Sequence, residues 1–268
     1  MISIRQLDFA YGNRQILHQV DFDVASGELV SVLGMNGSGK STLLRCINGL
    51  LQPSRGEVEI NGRPTSSLSR QELARTIGYL PQNSQPVDCT VFEAVLIGRK
   101  PHLGWQVNDT DLAETSRILS LTGLSDYADR STLQLSGGEL QRVAIARTLA
   151  QQPSVLLLDE PVNHLDIRSQ IDVMDLIRTL TLQLGIATIA VMHDLNMALR
   201  FSDRFVLMRE GRLLAAGGQE VMTAENIRET YHLQVLVQTV NGLPLVIPCP
   251  EREPMRNVTT IPSAQSSS

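Results

Sequence analysis

The stretch Gly34-Met-Asn-Gly-Ser-Gly39-Lys40-Ser41 constrains this chain more than any other. Strand character runs from Glu28 to Leu33, breaks at the glycines, and gives way to helical spacing from Lys40 to Leu50. A strand that turns through glycines into a helix gathers backbone N–H groups and the positive end of a helix dipole in one concavity. That concavity suits an anion, and the pattern G-x-x-x-x-G-K-[ST] is the phosphate-binding loop. It implies an α/β fold of the P-loop NTPase type. Gly34, Asn36, Gly37, Ser38, Gly39 and Thr42 are expected around the phosphates. Lys40 can reach the outer ones, and the Ser41 hydroxyl can ligate Mg2+. Glycines at 34, 37 and 39 do not fit the dinucleotide spacing G-x-G-x-x-G.

A second element belongs with the first. Val155-Leu-Leu-Leu is a short, uniformly apolar run, bounded by Pro153 and Pro161, as in a strand buried on both faces. It ends in Asp159-Glu160. Ligands in α/β proteins bind at the carboxyl ends of parallel strands, so both acids can face the phosphates. Asp159 suits a magnesium ion, and Glu160 can accept a proton from an attacking water. Alone, an Asp-Glu pair reads as a solvated turn; behind an apolar strand in a phosphate-loop protein it reads as a site.

Composition narrows the setting. With a net charge of −5, the chain lacks the basic balance of a nucleic-acid surface, and no nucleic-acid partner is expected. Three cysteines, Cys46, Cys89 and Cys249, form neither a zinc motif nor a disulfide framework and are expected as reduced thiols. No stretch approaches the roughly 20 apolar residues of a membrane span, and the N-terminus has no signal-peptide pattern. Work at a membrane would need something else to hold the protein there.

Along the chain, Ile2 to Phe9 and Val20 to Val24 read as strands. Between Gln85 and Leu135 strand signal is scarce, and Val91 to Arg99 and Asp109 to Thr122 are helical; Gly137-Gly138 opens a further helix to about Gln151. These residues, about 85–150, are expected as a helical subdomain inserted into the α/β core. Apolar residues at steps of three and four predict a helix from Ile167 to Leu184, followed by a buried strand over Ile186 to Met192. Glu210-Gly211 and Asn241-Gly242 each mark a hairpin. The polar tail after Pro248 is expected to be disordered. The expected division is one domain over 1–240 and a hairpin strand with tail over 241–268.

Leu135-Ser136-Gly137-Gly138-Glu139-Leu140-Gln141-Arg142 adds what the phosphate loop cannot. As bare sequence, Ser136 is a helix N-cap. The octet also resembles the signature motif of ABC ATPases, and Ser136 stands 23 residues before Asp159, as that family places it. Glu139 stands where most members carry Gln. Other motifs of the family follow in order. Tyr11 matches the aromatic that stacks on adenine, and Gln82 in Tyr79-Leu-Pro-Gln82 matches the Q-loop. Pro161-Val-Asn-His-Leu-Asp166 matches the D-loop, with Val162 where Thr or Ser is commoner, and His193 matches the switch histidine. The resemblance covers roughly residues 1–240. It implies an ABC ATPase core with an N-terminal antiparallel β-subdomain and the inserted helical subdomain.

It also implies a mechanism. Two copies would form a head-to-tail dimer with two ATP molecules at the interface. One copy supplies Lys40, Ser41, Gln82, Asp159, Glu160 and His193; the other presents Ser136, Gly137, Gly138 and Glu139. Gln82 joins Ser41 and Asp159 as a metal ligand, and Lys40, Gln82, Glu160 and His193 act in catalysis. Gly98-Arg-Lys-Pro-His102 and the segment from His193 to Asp203 resemble importers of ferric siderophores, haem or cobalamin. The partners implied are a polytopic permease, docking a short helix against residues 83–99 with Trp105 near the rim, and indirectly a substrate-binding protein. The place implied is the cytoplasmic face of the cell membrane. The alternative within transporters is the ATPase of another ABC transporter, for a different solute or for export. A chromosome-maintenance ATPase would need a long coiled coil between Ser41 and Ser136, a translation factor would carry two cassettes, and a non-catalytic homologue would be expected to lose Lys40, Glu160 or His193.

Overall fold

The computed structural model describes residues 1–82, 87–103 and 106–249. Its centre is a six-stranded sheet. In chain order the strands are β3 (Leu29–Leu33), β6 (Ile77–Leu80), β7 (Val155–Asp159), β8 (Ala187–Val191), β9 (Arg204–Arg209) and β10 (Arg212–Gly217). In space they lie in the order β10-β9-β3-β8-β7-β6, all parallel except β10. Every residue of β3, β7 and β8 is buried, which is why these strands read as continuous apolar runs. Val32 and Asp159 both pair with Val191, so β3, β7 and β8 end level with one another. The residues just beyond those ends share one edge of the sheet.

The two faces of β7 feed two cores. Val155 and Leu157 join one with Ile2, Ile4, Leu7 and helix α1 (Lys40–Ile47). Leu156 and Leu158 join the other, with helices that follow β6 in the chain. Period-two alternation within one strand thus binds both layers, each buried Leu contributing about 1.5–3 kcal/mol.

A second, antiparallel sheet covers the α1 side. It comprises β1 (Ile2–Tyr11), β2 (Arg14–Val24), β4 (Arg55–Ile60) and β5 (Arg63–Pro64), in the order β2-β1-β4-β5. Strand β2 begins well before the Val20–Val24 segment expected, and β4 was not expected at all. Both are polar along the exposed face and alternate weakly, with a bulge at Gln19, whose φ is +48.

Between β6 and β7 lies a helical lobe: α3 (Val91–Leu96), α4 (Asp109–Leu121) and α5 (Gly137–Leu149), after the short α2 (Arg70–Thr76) that precedes β6. Capping boxes start these helices. Ser69 with Glu72, Thr90 with Glu93, Asn108 with Asp111 and Ser136 with Glu139 each exchange reciprocal hydrogen bonds. Inside the lobe Arg99 is 5% exposed and pairs with Asp111, 2% exposed, at 3.1 Å. Its guanidinium also donates to the Ala150 carbonyl at 2.9 Å and to Gln152 Oε1 at 3.0 Å.

Helix α6 (Ile167–Leu184) spans the range expected, and its Val173, Met174, Ile177 and Leu180 are buried. Helix α7 (Leu195–Phe201) leads from β8 to β9, and α8 (Ala224–Tyr231) packs against β9 and β10. The hairpin of β11 (Val235–Val240) and β12 (Leu243–Pro248) is fastened to α7: Asn196 receives the Val246 N–H at 2.8 Å and donates to its carbonyl at 3.2 Å. The expected boundary after residue 240 falls at this hairpin's tip. The tail from residue 250 lies outside the described residues.

Candidate active site

At the shared edge of β3, β7 and β8 opens a cavity of about 720 Å³. Asn36, Gly37, Gly39, Lys40, Ser41 and Thr42 form one wall; Gln82, Glu160 and His193 form another; Tyr11 stands at the mouth. Residues from five separated segments are thus brought together. Tyr11 is 48% exposed and packs edge-on against Phe9, with ring centroids 4.8 Å apart. Its outer face is free to stack a planar ring.

Lys40 is only 6% exposed. Its ammonium donates to the Gly34 carbonyl at 2.7 Å and to the Met35 carbonyl at 2.9 Å. Burial lowers the lysine pKa, against the pull of Glu160 and Asp159. A cation held out of water in this way is poised for an anionic partner. Helix α1 follows Gly39 at its N-cap, whose φ is +100, and no side chain caps it. Its first N–H groups therefore face the cavity unspent.

Asp159 is 2% exposed and accepts from Ser41 Oγ at 3.0 Å. Burial raises its pKa, the Ser41 hydrogen bond opposes that, and Glu160 adds to it. A hydroxyl and a carboxylate side by side are hard oxygen donors. No cluster of three or more metal-ligating side chains occurs among the described residues. That donor set fits Mg2+, which takes one or two protein oxygens and completes its shell with substrate phosphates and water.

Glu160 has a positive φ of +55, a conformation disfavoured for this residue type. Its N–H is held by the Val191 carbonyl at 3.2 Å. The turn swings its carboxylate toward three donors. Gln82 Nε2 and Asn163 Nδ2 donate to Oε2 at 2.6 and 2.8 Å, and His193 Nε2 contacts Oε1.

Six of the residues expected around the nucleotide lie elsewhere. The Ser38 hydroxyl is buried behind the loop, and its N–H donates to the Met35 carbonyl at 3.2 Å. Ser136, Gly137, Gly138 and Glu139 start α5 and do not line the cavity. Gly34 also sits behind the loop: a Cβ there would come within 2.3 Å of the Met208 carbonyl, so only glycine allows that approach. Conversely, Arg14, Ile16 and Asn163 line the cavity without a role foreseen for them. The first two lie just beyond the turn at Gly12 and Asn13. Asn83 to Pro86 and Trp105, expected near a docking groove, lie outside the described residues.

A family model described as ABC transporter matches residues 17–163. The chain belongs to the ABC transporter family. An ABC transporter ATP-binding protein of Methanocaldococcus jannaschii is 49% identical over 248 residues, covering 92% of this chain and 98% of the relative. The ferric enterobactin transport ATP-binding protein of Escherichia coli is 38% identical over 251 residues, covering 91% of this chain and 92% of the relative. A solved structure described as an inward-facing ABC transporter of a proposed metal-chelate type matches with TM-score 0.81 at 28% identity, over 93% of this chain and 97% of that one. The chain is therefore an ATP-binding cassette.

Proposed function

We propose that this cassette hydrolyses ATP as one of two copies beneath a membrane permease and energises import of a metal chelate. One observation carries the hydrolytic part: Glu160, at the end of β7, faces the phosphate loop and is held by Gln82, Asn163 and His193. No described helix is long and apolar enough to cross a membrane.

The residues divide the work. Tyr11 stacks the adenine, and the first N–H groups of α1 and Lys40 receive the phosphates. Ser41 and Asp159 would hold Mg2+, which would supply charge neutralisation at the phosphate oxygens. As nucleotide seats, Gln82 and His193 turn toward the outer phosphate and release the Glu160 carboxylate. Glu160 then accepts the proton of the attacking water.

Ser136 to Glu139 lie outside this chain's own cavity, which supports their donation to the nucleotide of a second copy. Each site would then be complete only when two copies close face to face. The permease would dock in a cleft of about 530 Å³ between α2, the turn after α3 and the last turn of α5. Arg70, Lys100 and Arg147 line it beside Ile97, which is 51% exposed. The chelate reading is supported by the relative named for ferric enterobactin transport and by the solved transporter of metal-chelate type, and the substrate-binding protein and the cytoplasmic face follow from it.

Glu160→Gln tests the assignment. The amide keeps the shape but cannot take a proton. ATP binding should persist while turnover falls at least about a hundredfold, and gel filtration with ATP should show an accumulated dimer. Brisk steady-state hydrolysis by this variant would remove Glu160 from the role.

A further inference from the structure

The turn that carries Glu160 is held in a strained shape, and part of what holds it comes from outside the site. The Glu160 φ of +55 persists only where the surroundings over-determine it. Residues 160–165 join β7 to α6, and their backbone is tied at several points. The Glu160 N–H goes to the Val191 carbonyl, and the Glu160 carbonyl takes the Asn163 N–H, both at 3.2 Å. Gln170, near the start of α6, donates its side-chain amide to the Leu165 carbonyl at 3.1 Å and to the Val162 carbonyl at 3.4 Å. Pro161 is the gap in this series. It has no N–H to give, so its carbonyl is its one backbone handle.

Gln141 takes hold of that handle. It lies about one turn into α5 and does not line the cavity. Its Nε2 donates to the Pro161 carbonyl at 2.5 Å, and that carbonyl receives no other hydrogen bond among the described residues. Only the amide nitrogen can face a carbonyl, which fixes how the side chain is turned. Pro161 and Val162 are both buried, so little water is at hand to replace the amide. The elements are packed here as well as bonded. A Cβ on Gly138 would fall 2.9 Å from Ser169 Oγ, one on Gly137 would fall 3.4 Å from Leu165 Cδ2, and Arg142 pairs with Asp172 at 3.6 Å. The start of α5 is thus seated against the turn and against the start of α6.

We propose that Gln141 is a positioning residue for hydrolysis: its amide holds the Pro161 carbonyl and so keeps the preceding residue, Glu160, in the left-handed conformation that aims its carboxylate into the cavity. Without the amide, a strained φ and an unpaired carbonyl sit side by side, and the turn relaxes toward ordinary backbone. The carboxylate then faces the phosphate loop for a smaller share of the time. Tyr11, Lys40 and Ser41 keep their places on the other walls, so nucleotide seats as before. The inference rests on the reading of Glu160 as the base and adds the residue that holds the base in place from behind.

The test uses the full chain with Gln141→Met, which keeps length and helix propensity but has no donor. Thr148→Val is the control for loosening of α5: Thr148 is buried and spends its hydroxyl on the Ala144 carbonyl at 2.8 Å, away from the turn. Titration with the fluorescent analogue TNP-ATP and Mg2+ gives affinity, and steady-state hydrolysis gives KM and kcat. Gln141→Met should lower kcat about tenfold while KM and affinity stay within about twofold of wild type. Thr148→Val should leave all three within about twofold. Both substitutions are then made beside Glu160→Gln and followed by single-turnover hydrolysis. Acting through the carboxylate, Gln141 has nothing left to act on there, and its loss should slow the residual rate no further. Wild-type kcat in Gln141→Met overturns the proposal, as does a matching loss of affinity, an equal loss of kcat in Thr148→Val, or a further loss beside Glu160→Gln. Should Glu160→Gln alone hydrolyse ATP briskly, the proposed base falls, and the hold on the turn is decided by amide exchange. Faster exchange across residues 160–165 in Gln141→Met, and not in Thr148→Val, keeps that hold; wild-type exchange there ends it.

Discussion

The helices α1 and α5 both begin at glycines, and both offer a positive terminus to an anion, yet they are finished in opposite ways. At α1 no side chain caps the first turn and no acid lies within it, and a buried lysine points along the loop. At α5 the Ser136 hydroxyl and the Glu139 carboxylate already complete the terminus, which sits exposed to solvent. The first is costly as a folded element and ready as a receptor. The second is self-sufficient as a helix, and any phosphate it meets must compete with its own carboxylate. The difference teaches that one anion-binding device can be built either to hold a ligand within a chain or to be carried, intact, toward a ligand on another.

Lys40→Ala attacks the receptive terminus most directly. A charge-assisted hydrogen bond is worth about 1.5–3 kcal/mol, so ATP affinity should fall roughly ten- to a hundredfold in a nucleotide titration, with hydrolysis near background. Unchanged affinity would place the phosphates elsewhere. Ser136→Ala tests the finished terminus. Hydrolysis should drop while binding by the isolated chain is kept, and loss of the cap should cost about 1 kcal/mol in chemical denaturation. If binding falls first, the two termini are not separate in function.

Asp159→Asn sharpens the contrast through stability. The raised pKa means that the folded protein disfavours this carboxylate, a penalty fully present above the folded pKa and gone below the unfolded one, near 3.9. The variant should lose hydrolysis yet melt about 2 °C higher at pH 7, and the gain should shrink as pH falls. Equal melting at all pH values would show that the acid is not penalised. Glu139→Gln should do least and with opposite sign. Hydrogen bonds from Ser136 lower the Glu139 pKa, so its stabilisation is present above the unfolded pKa, near 4.3, and lost as pH falls through the folded value. Melting should drop by about 1 °C or less at pH 7, with no difference from wild type well below pH 4.

Much of this was legible before any coordinates, for physical reasons. The strand ending at Asp159 is buried on both faces, so hydrophobicity alone marks it. Helix α6 carries a regular apolar stripe, and the Asn241-Gly242 turn, with φ values of +52 and +80, suits those residue types. The phosphate loop is visible because its glycines answer a local geometric demand. Less could be read where tertiary contact decides. Strand β4 exposes Arg55, Gly56 and Glu57 and holds its place through β1. Asn163 reaches Glu160 only because the turn after β7 has positive φ at both Glu160 and His164, which no spacing rule announces.

The buried Arg99 has a consequence for how the helical lobe comes apart. Its three anchors are Asp111 at the start of α4, the Ala150 carbonyl at the end of α5, and Gln152 beyond it. A guanidinium stripped of water cannot surrender one anchor cheaply while keeping the rest, since breaking one side of a buried ion pair costs about 3–5 kcal/mol. The lobe should therefore resist fraying helix by helix. Amide exchange along α4 and the final turn of α5 would then rise together, at a common opening rate, like the leaves of a book released by a single clasp.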